Sequence, residues 1–369
     1  MKKVLIIQDD LDFGGMESFV LSLCNNIIRD ESCVTLLLLS NDRNRLLERL
    51  DKRVKVIELP YTMNYVMNTW HMIFLTNAIR KVIKSEKPAI IHTNSYQLRL
   101  ISIQTGCLLS SVSCSYVHTI HTSGIYYENR TLWHWIKLKV EGLMFWICHT
   151  SVICVSEQVY QQCYKLFNHN VSLRYINNGI DTHYDDIKKS NLIDHTYINL
   201  VYVARLHPGK NHHLLIEAFS KMSNKNVRLY LLGDGELKDE LIQLASEKGC
   251  DNIFFLGNRS DVKEILSSCQ IGLFPSLFEG FGLALLEMMA AGLPIICSDI
   301  PTFRKLMNPD DAIFFNPQNA SELTDRIESL VQNKKLMKSL SKKSKEIASH
   351  YSVNRMGKEY LEIYKQLSK

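Results

Sequence analysis

Short apolar runs alternate with longer amphipathic segments along the first half of the chain. Read as strands, the apolar runs lie at Val4–Gln8, Val34–Leu39, Val54–Leu59, Ile90–His92, Ser115–Thr119 and Ser151–Val155. Segments such as Met16–Ile28 and Trp70–Lys84 between them have the spacing of helices. This alternation is typical of a parallel sheet covered by helices.

The same pattern starts again in the second half of the chain. Its predicted strands are Asn199–Val203, Val227–Leu232, Ile253–Leu256, Ile271–Pro275, Ile295–Cys297 and Ala312–Phe315. The polar stretch Asp181–Thr196 between the two series predicts a hinge. A length of 369 residues also suits two domains of ordinary size. We therefore predict an α/β protein with two Rossmann-like domains, at residues 1–180 and 181–350.

The last segment, residues 351–369, predicts a separate helix. Five large side chains share one helical face there, Met356, Tyr360, Ile363, Tyr364 and Leu367. This segment follows the last strand of the second domain, and we expect it to pack back toward the first domain.

Composition and cysteine placement indicate a protein of the cell interior. Hydrophobic residues make up 46% and charged residues 22%, which is ordinary for a soluble protein. The N-terminal apolar stretch Val4–Ile7 is too short for a signal peptide, and no run approaches the roughly 20 residues of a membrane span. None of the ten cysteines forms a Cys-x-x-Cys pair, so we expect free thiols in the cytoplasm.

The positive charge lies in the first half. Residues 1–180 hold 19 Lys and Arg against 14 Asp and Glu, whereas residues 181–369 hold 24 of each. An excess of this size does not indicate a nucleic-acid partner. It is compatible with a first domain that rests on anionic lipid or meets an anionic acceptor, and equally with an ordinary solvated surface.

The sharpest chemical signal is a glycine-bearing turn flanked by two carboxylates. Glu279 precedes Gly280-Phe281-Gly282-Leu283, and Glu287 lies about one turn into the helix that follows. Glycines let backbone N–H groups approach a ligand, and the N-terminus of a helix favours an anion. Glu287 can accept hydrogen bonds from ribose hydroxyls, and Glu279 can do the same for a hexose.

The stretch PSLFEGFGLALLEMMAAGLPIICSDIP, which contains this turn, resembles the signature of retaining glycosyltransferases of family 4. That family has the GT-B fold, with two Rossmann-like domains facing a central cleft. Its paired-glutamate motif matches Glu279 and Glu287, and its phosphate-binding segment resembles VYVARLHPGKNHHLLIEAF. INNGID, YLLGDGEL and FFLGNRSDV resemble further family segments. The resemblance is close over residues 150–300 and weaker over residues 1–150.

The resemblance places the family's phosphate-binding cations on Arg205 and Lys210. Their chemistry makes sense independently, because a departing nucleoside diphosphate gains negative charge that two fixed cations stabilise. With those cations supplied by the protein, we expect no metal and no other cofactor. Asn258 and Arg259 are expected to contact the nucleotide base, without distinguishing uracil from guanine.

In the first half, the resemblance implies a glycine-rich loop and a histidine that contacts the donor sugar. Gly14 and Gly15 follow the first strand and open a helix, as that loop requires. Matching the strand pattern puts the sugar-contacting role on His121 rather than on His118, which we expect inside the strand. His92 is expected to be structural or to line the cleft.

The helix Trp133–Trp146 combines aromatic, aliphatic and basic residues. Two interpretations stay open: a helix packed in the core, which we favour, and a helix at a bilayer interface or facing a lipid-linked acceptor.

The resemblance implies a retaining, metal-independent hexosyltransferase. Its donor would be a nucleotide-diphosphate sugar, most commonly UDP-linked, and its acceptor a glycan or lipid-linked saccharide of bacterial surface-polysaccharide assembly. We place it in the cytoplasm, with peripheral contact to the cytoplasmic face of the inner membrane as a further hypothesis. The donor sugar, the acceptor and the linkage are not readable from the sequence.

Four other classes of protein compete with this interpretation. A metal-dependent GT-A transferase needs an Asp-x-Asp motif deep in the chain, whereas Asp10-Leu11-Asp12 directly follows the first strand. A dinucleotide oxidoreductase needs Gly-x-Gly-x-x-Gly, and Gly233-Asp234-Gly235 lacks the third glycine. A sugar-nucleotide 2-epimerase of the same fold, or a non-catalytic relative, stays open.

Overall fold

The computed structural model describes residues 3–30, 33–95, 97–121, 132–167, 171–184 and 186–367. The chain divides into two compact units. One consists of Met1–Gly179 and Val353–Lys369, and the other is Ile180–Ser352. The sequence analysis placed its first boundary after residue 180 and its second after residue 350.

The first unit is built on a parallel sheet of seven strands in the order β3-β2-β1-β4-β5-β6-β7. The strands are β1 Lys3–Gln8, β2 Cys33–Leu38, β3 Lys55–Glu58, β4 Ile90–Thr93, β5 Ser115–Ile120, β6 Ser151–Cys154 and β7 Ser172–Tyr175. Central strands such as β1 are almost wholly buried, as expected for a sheet covered on both faces. The sequence analysis missed β7, because this edge strand is mostly exposed and has no apolar run.

Helices cover both faces of this sheet. They are α1 Gly15–Ile27, α2 Met63–Met67, α3 Met72–Glu86, α4 Gln97–Leu108, α5 Leu132–Ile147 and α6 Glu157–Phe167. One core lies between the sheet and α1, and a second core contains the buried side chains of α3 and α4.

The second unit has a parallel sheet of six strands in the order β10-β9-β8-β11-β12-β13. Its strands are β8 Ile198–Val203, β9 Val227–Leu232, β10 Ile253–Gly257, β11 Ile271–Phe274, β12 Ile295–Ser298 and β13 Ile313–Phe315. Its helices are α7 His212–Ser220, α8 Lys238–Glu247, α9 Val262–Leu266, α10 Leu283–Ala290, α11 Pro301–Leu306, α12 Ala320–Gln332 and α13 Lys334–Ser349. Two Rossmann-like units with parallel sheets confirm the predicted fold class.

The last helix, α14 Val353–Leu367, belongs to the first unit and packs on α1. Asn26 on α1 donates to Asn354 Oδ1 at 2.8 Å. Tyr364 and Tyr360 reach the sheet: the Tyr364 hydroxyl is 2.6 Å from His92 Nδ1, and the Tyr360 hydroxyl is 3.1 Å from Thr119 Oγ1. The end of the chain therefore completes the core of the first unit.

The exposure of α5 corrects one expectation. Ile136, Val140, Leu143 and Ile147 are all exposed, so the interpretation of this face as packed in the core is wrong. The side chain of Trp133, which the sequence analysis put on the same face, lies outside the described residues. Within the described ranges, no helix is both long enough and apolar enough to cross a bilayer.

Candidate active site

Three loops of the second unit carry the residues that the sequence analysis selected. Arg205 and Lys210 follow β8, Asn258 and Arg259 follow β10, and the turn after Glu279 follows β11. Strand β9, which ends at the Gly233–Gly235 segment, lies between β10 and β8. Because carboxyl ends of parallel strands share one edge of a sheet, these loops meet at the position where such folds bind ligands.

Lys210 and Glu279 form an ion pair at this edge. The Lys210 ammonium donates to Glu279 Oε1 at 2.5 Å, and the Ser276 hydroxyl donates to the same oxygen at 2.9 Å. The two charged side chains are 27% and 11% exposed, so the pair is partly shielded from water. A charged group placed there interacts more strongly than it would on an open surface.

Tyr202 fixes the two loops that carry this pair. Its ring is fully buried, and its hydroxyl donates to the Lys210 carbonyl oxygen at 3.0 Å and lies 2.9 Å from Ser276 Oγ. Burial, helped by the charge of Glu279, holds the pKa of Tyr202 well above its ordinary value. The sequence analysis missed Tyr202 and Ser276. Their only signal was a hydroxyl inside, or directly after, an apolar strand.

The structure does not bring Arg205 to the Lys210–Glu279 pair. The Arg205 side chain is 71% exposed and donates to Glu236 Oε2 at 3.3 Å. His207 Nε2 is 3.6 Å from the other oxygen of Glu236. Since exposed ion pairs contribute little, Arg205 can exchange Glu236 for an anionic ligand at small cost.

Two glycines at this edge have backbone conformations that residues with a side chain adopt only with strain. Gly282 has φ of 90° and is the N-cap of α10, and Gly233 has φ of 130°. A Cβ on Gly233 would lie 2.0 Å from the Ala204 carbonyl oxygen, so β9 and the loop after β8 touch only because this residue is glycine. The first turn of α10 presents backbone N–H groups, a ready anion site.

The remaining residues of this turn are partly buried or at the start of the helix. Gly280 is partly buried, and the Phe281 ring packs edge-on against Tyr351 at 5.6 Å. Leu283 is the first residue of α10, and Glu287 lies just over one turn further on.

Glu287 is partly buried and lies near Tyr184, a residue that the sequence analysis missed. Burial raises the pKa of Tyr184 well above its ordinary value, and the charge of Glu287 adds to this. The Lys263 ammonium, which also pairs with Asp181 at 2.5 Å, lies over the Tyr184 ring. The Tyr184 ring, the Lys263 ammonium and the Glu287 carboxylate therefore lie close together.

The two predicted base contacts differ from each other. Arg259 makes two parallel hydrogen bonds to Asp261, each of 2.8 Å, which holds its guanidinium in one plane. Asn258 is exposed. The structure thus orients Arg259 and leaves Asn258 at the surface.

The first unit has its own loop edge, at the carboxyl ends of β1, β4 and β5. Gly14 and Gly15 open α1 after β1, and His121 directly follows β5. His121 Nε2 is 3.1 Å from Oδ1 of Asn94, which follows β4, and its ring lies edge-on to Phe19 at 4.7 Å. Burial, with His118 nearby, lowers the pKa of His121 to about 3, so its imidazole is neutral at pH 7.

His118 and His92 lie inside the sheet. His118 Nδ1 is 2.8 Å from Thr93 Oγ1, and burial lowers its pKa to about 3. His92 Nε2 is 2.7 Å from Thr119 Oγ1, opposite its contact with Tyr364. The two side chains hold neighbouring strands and the last helix together.

Acidic residues near the Gly14–Gly15 loop were not given a role by the sequence analysis. Burial raises the pKa of Glu17 to about 7, with the charges of Asp10, Asp9 and Asp12 adding to it. Asp12 is held by Arg45 through two hydrogen bonds of 2.5 and 2.8 Å. The Asp10-Leu11-Asp12 segment therefore lacks two free carboxylates of the kind that a GT-A metal motif presents.

Solved structures share this architecture over the whole chain. The crystal structure of HepE from Anabaena in complex with UDP-glucose matches with a TM-score of 0.81 and 19% identity, covering 99% of this chain and 100% of that one. Together with the two parallel sheets, this defines the GT-B class of fold.

Family models and curated relatives agree with that class. Residues 13–184 match the model described as Glycosyltransferase Family 4, and residues 183–347 match Glycosyl transferases group 1. The chain belongs to this glycosyltransferase family, as its motifs predicted.

Two relatives share more than a quarter of their aligned residues with the chain. An Escherichia coli UDP-Gal:α-D-GlcNAc-diphosphoundecaprenol α-1,3-galactosyltransferase is 28% identical over 284 residues, 71% of each chain. A Campylobacter jejuni N-acetylgalactosamine-N,N'-diacetylbacillosaminyl-diphospho-undecaprenol 4-α-N-acetylgalactosaminyltransferase is 28% identical over 165 residues, which is 44% of this chain and 45% of that protein.

Proposed function

We propose that the protein transfers a sugar from a UDP-sugar to a glycan or lipid-linked saccharide during assembly of a bacterial surface polysaccharide. The observation that supports this most is the Lys210–Glu279 pair beside the N-terminus of α10. A cation, a helix N-terminus and a carboxylate at one edge suit the diphosphate and the hydroxyls of a nucleotide sugar. The substrates in the names of both relatives, lipid diphosphates with attached sugars, favour a lipid-linked acceptor.

Each residue has a distinct part in the proposed reaction. Lys210, Arg205 and the first turn of α10 stabilise the charge that grows on the leaving diphosphate. Glu279 accepts hydrogen bonds from sugar hydroxyls, and Glu287 accepts those of the ribose. Because its cations are side chains, the reaction needs no metal ion.

His121 steadies the donor sugar as a neutral imidazole. With its pKa near 3 it carries no charge at pH 7, so it hydrogen-bonds a hydroxyl without opposing the positive charge that develops on the sugar. Asn94 Oδ1 at His121 Nε2 fixes the ring in place. The acceptor oxygen bonds the anomeric carbon on the same face of the sugar from which the diphosphate departs, and the acceptor proton passes to that diphosphate. The configuration of the anomeric carbon is therefore retained.

One incubation tests the proposal. The protein is mixed with radiolabelled UDP-sugars and diphospho-undecaprenol saccharides, and products are separated by chromatography. The proposal expects label in the lipid fraction. Isomerised free UDP-sugar would instead identify a 2-epimerase, and an unchanged donor that still binds would identify a non-catalytic relative.

A further inference from the structure

Both cations that the proposed function assigns to the diphosphate are paired with carboxylates in the structure. Arg205 pairs with Glu236 at 3.3 Å, and Lys210 pairs with Glu279 at 2.5 Å. A diphosphate that binds at this edge therefore competes with a carboxylate for each cation. How strongly the diphosphate is held depends on what each carboxylate loses in that exchange.

The two ion pairs differ in how far water reaches them. The side chains of Arg205 and Glu236 are 71% and 46% exposed, so water replaces the guanidinium at Glu236 when Arg205 turns to a ligand. The side chain of Glu279 is only 11% exposed. If Lys210 leaves, the Glu279 carboxylate keeps the Ser276 hydroxyl at 2.9 Å, but none of the described residues offers it a second cation. A charge left uncompensated in such a shielded place is costly.

Hydrogen bonds between the two loops hold the backbones that carry the partly buried pair. The Leu277 N–H donates to the Gly209 carbonyl oxygen at 3.0 Å, and the Asn211 side-chain amide donates to the Pro275 carbonyl oxygen at 3.2 Å. Because both backbones are fixed, an exchange between carboxylate and ligand moves only the ends of side chains. The flexible four-carbon stem of lysine allows this movement.

The Glu279 carboxylate has one oxygen that the protein uses and one that a ligand can use. Lys210 and Ser276 both donate to Oε1, and within the described ranges no residue donates to Oε2. A sugar hydroxyl that donates to Oε2 gives the carboxylate a hydrogen bond in place of the one from lysine. A nucleoside diphosphate without a sugar has no such hydroxyl, because its ribose is assigned to Glu287.

We infer that Glu279 makes this site select the intact UDP-sugar over bare UDP, the product of transfer. With a UDP-sugar, Lys210 turns to the diphosphate while the sugar hydroxyls satisfy Glu279. With UDP, the diphosphate takes Lys210 and leaves the Glu279 charge uncompensated, so UDP binds weakly and departs after transfer. The inference rests on the proposed function, which assigns the diphosphate to Lys210 and the sugar to Glu279.

Calorimetric titration tests the selection without any transfer reaction. UDP is compared with UDP-glucose, UDP-galactose and UDP-N-acetylgalactosamine, and the UDP-sugar that binds most tightly is used with the variants. Glu279→Gln should raise the affinity for UDP about tenfold, because a neutral amide neither holds Lys210 in an ion pair nor repels the diphosphate. The affinity for the UDP-sugar should change by less than about threefold, because weaker hydrogen bonds to its hydroxyls offset the gain from the released lysine.

A second variant should act in the opposite direction. Ser276→Ala removes the other hydrogen bond to Oε1, so Glu279 depends more on Lys210. UDP should then bind about fivefold more weakly, and the UDP-sugar should lose less, since its hydroxyls still reach the carboxylate. Thermal unfolding checks that each variant is folded.

Two control variants remove a carboxylate charge elsewhere. Glu236→Gln breaks the exposed pair with Arg205 and should change the affinities for UDP and the UDP-sugar equally, by about twofold or less. Glu217→Gln breaks the remote pair with Lys221 and should change neither. Parental UDP affinity in Glu279→Gln would overturn the inference. Equal gains for UDP and the UDP-sugar would also overturn it, because Glu279 would then only add negative charge to the edge, as Glu236 does.

The two proposals fail in different ways. A protein that labels a lipid-linked acceptor, but whose Glu279→Gln variant binds UDP as the parent does, would overturn the selection and leave the proposed function standing. A protein that loses the selection in Glu279→Gln but transfers no sugar would overturn the proposed function alone. A protein that binds neither UDP nor a UDP-sugar would overturn both.

Discussion

Replacing Lys210 by methionine removes one ammonium and keeps most of the length of the side chain. In the structure that ammonium lies 2.5 Å from Glu279, at the edge where α10 begins. As the glycosidic bond breaks, charge grows on the diphosphate, and a fixed cation stabilises that state more than the bound donor. We expect turnover to fall by about 10²- to 10³-fold, equal to about 3–4 kcal/mol of transition-state stabilisation. Lys210→Ala and Arg205→Ala should each lower turnover by about 10²-fold or more.

The same substitution affects stability to a smaller degree. Glu279 is partly buried, and it keeps the hydrogen bond from Ser276 when the ammonium is gone. Loss of the charged partner should cost about 1–3 kcal/mol of unfolding free energy. The matched control is Lys221→Met, which breaks an exposed 2.8 Å pair with Glu217 of α7 and should leave turnover unchanged.

The assay compares initial rates at saturating UDP-sugar with UDP affinity from calorimetry. We expect a large loss of turnover with a smaller loss of affinity, in a protein that thermal unfolding shows to be folded. Near-parental turnover in both Lys210→Met and Arg205→Ala would refute the role given to these cations.

Three further predictions concern metal removal, the role of Glu279 and the pH dependence of stability. Excess EDTA should leave turnover intact, and a loss that Mn²⁺ or Mg²⁺ restores would contradict the metal-independent mechanism. Glu279→Gln keeps hydrogen bonding but cannot take up a proton, so appreciable turnover should remain; complete inactivity would indicate a base. Burial lowers the pKa values of His92, His118 and His121, so protons bind preferentially to the unfolded chain below about pH 6.5. Each histidine should remove up to about 1.4 kcal/mol of stability per pH unit as pH falls from there toward 3. Glu17 has the opposite effect. Because its pKa is raised to about 7 in the folded protein, it adds stability as pH falls from about 7 to the pKa of Glu in the unfolded chain. Urea unfolding from pH 7.5 to 5 measures the balance, and stability that rises toward pH 5 would contradict it.

The sequence predicted the parts of the fold that depend on local pattern. Buried strands such as β1 and β8 are continuous apolar runs and are recognisable without a partner. Strand β7 was missed because an exposed edge strand is defined by its pairing with β6, which local pattern does not contain. For helix α5 the apolar stripe was recognised, but whether it faces the core depends on the tertiary fold.

The candidate site divides in the same way. Glu279, Lys210 and Gly282 stand in motifs with chemical meaning, and they could be named in advance. Tyr202 and Ser276 could not, because their role arises only when β8 and β11 become neighbours. The pairing of Arg205 with Glu236 likewise depends on how the loops after β8 and β9 fold.

The configuration of the new glycosidic bond tests the central claim most directly. In the proposed retaining mechanism the acceptor proton passes to the leaving phosphate, so no general base is needed on the opposite face of the sugar. Proton NMR of the product should show, from the anomeric coupling constant, an α-linkage formed from an α-linked UDP-sugar. A β-linked product from the same donor would contradict both the mechanism and the roles given to Glu279 and His121.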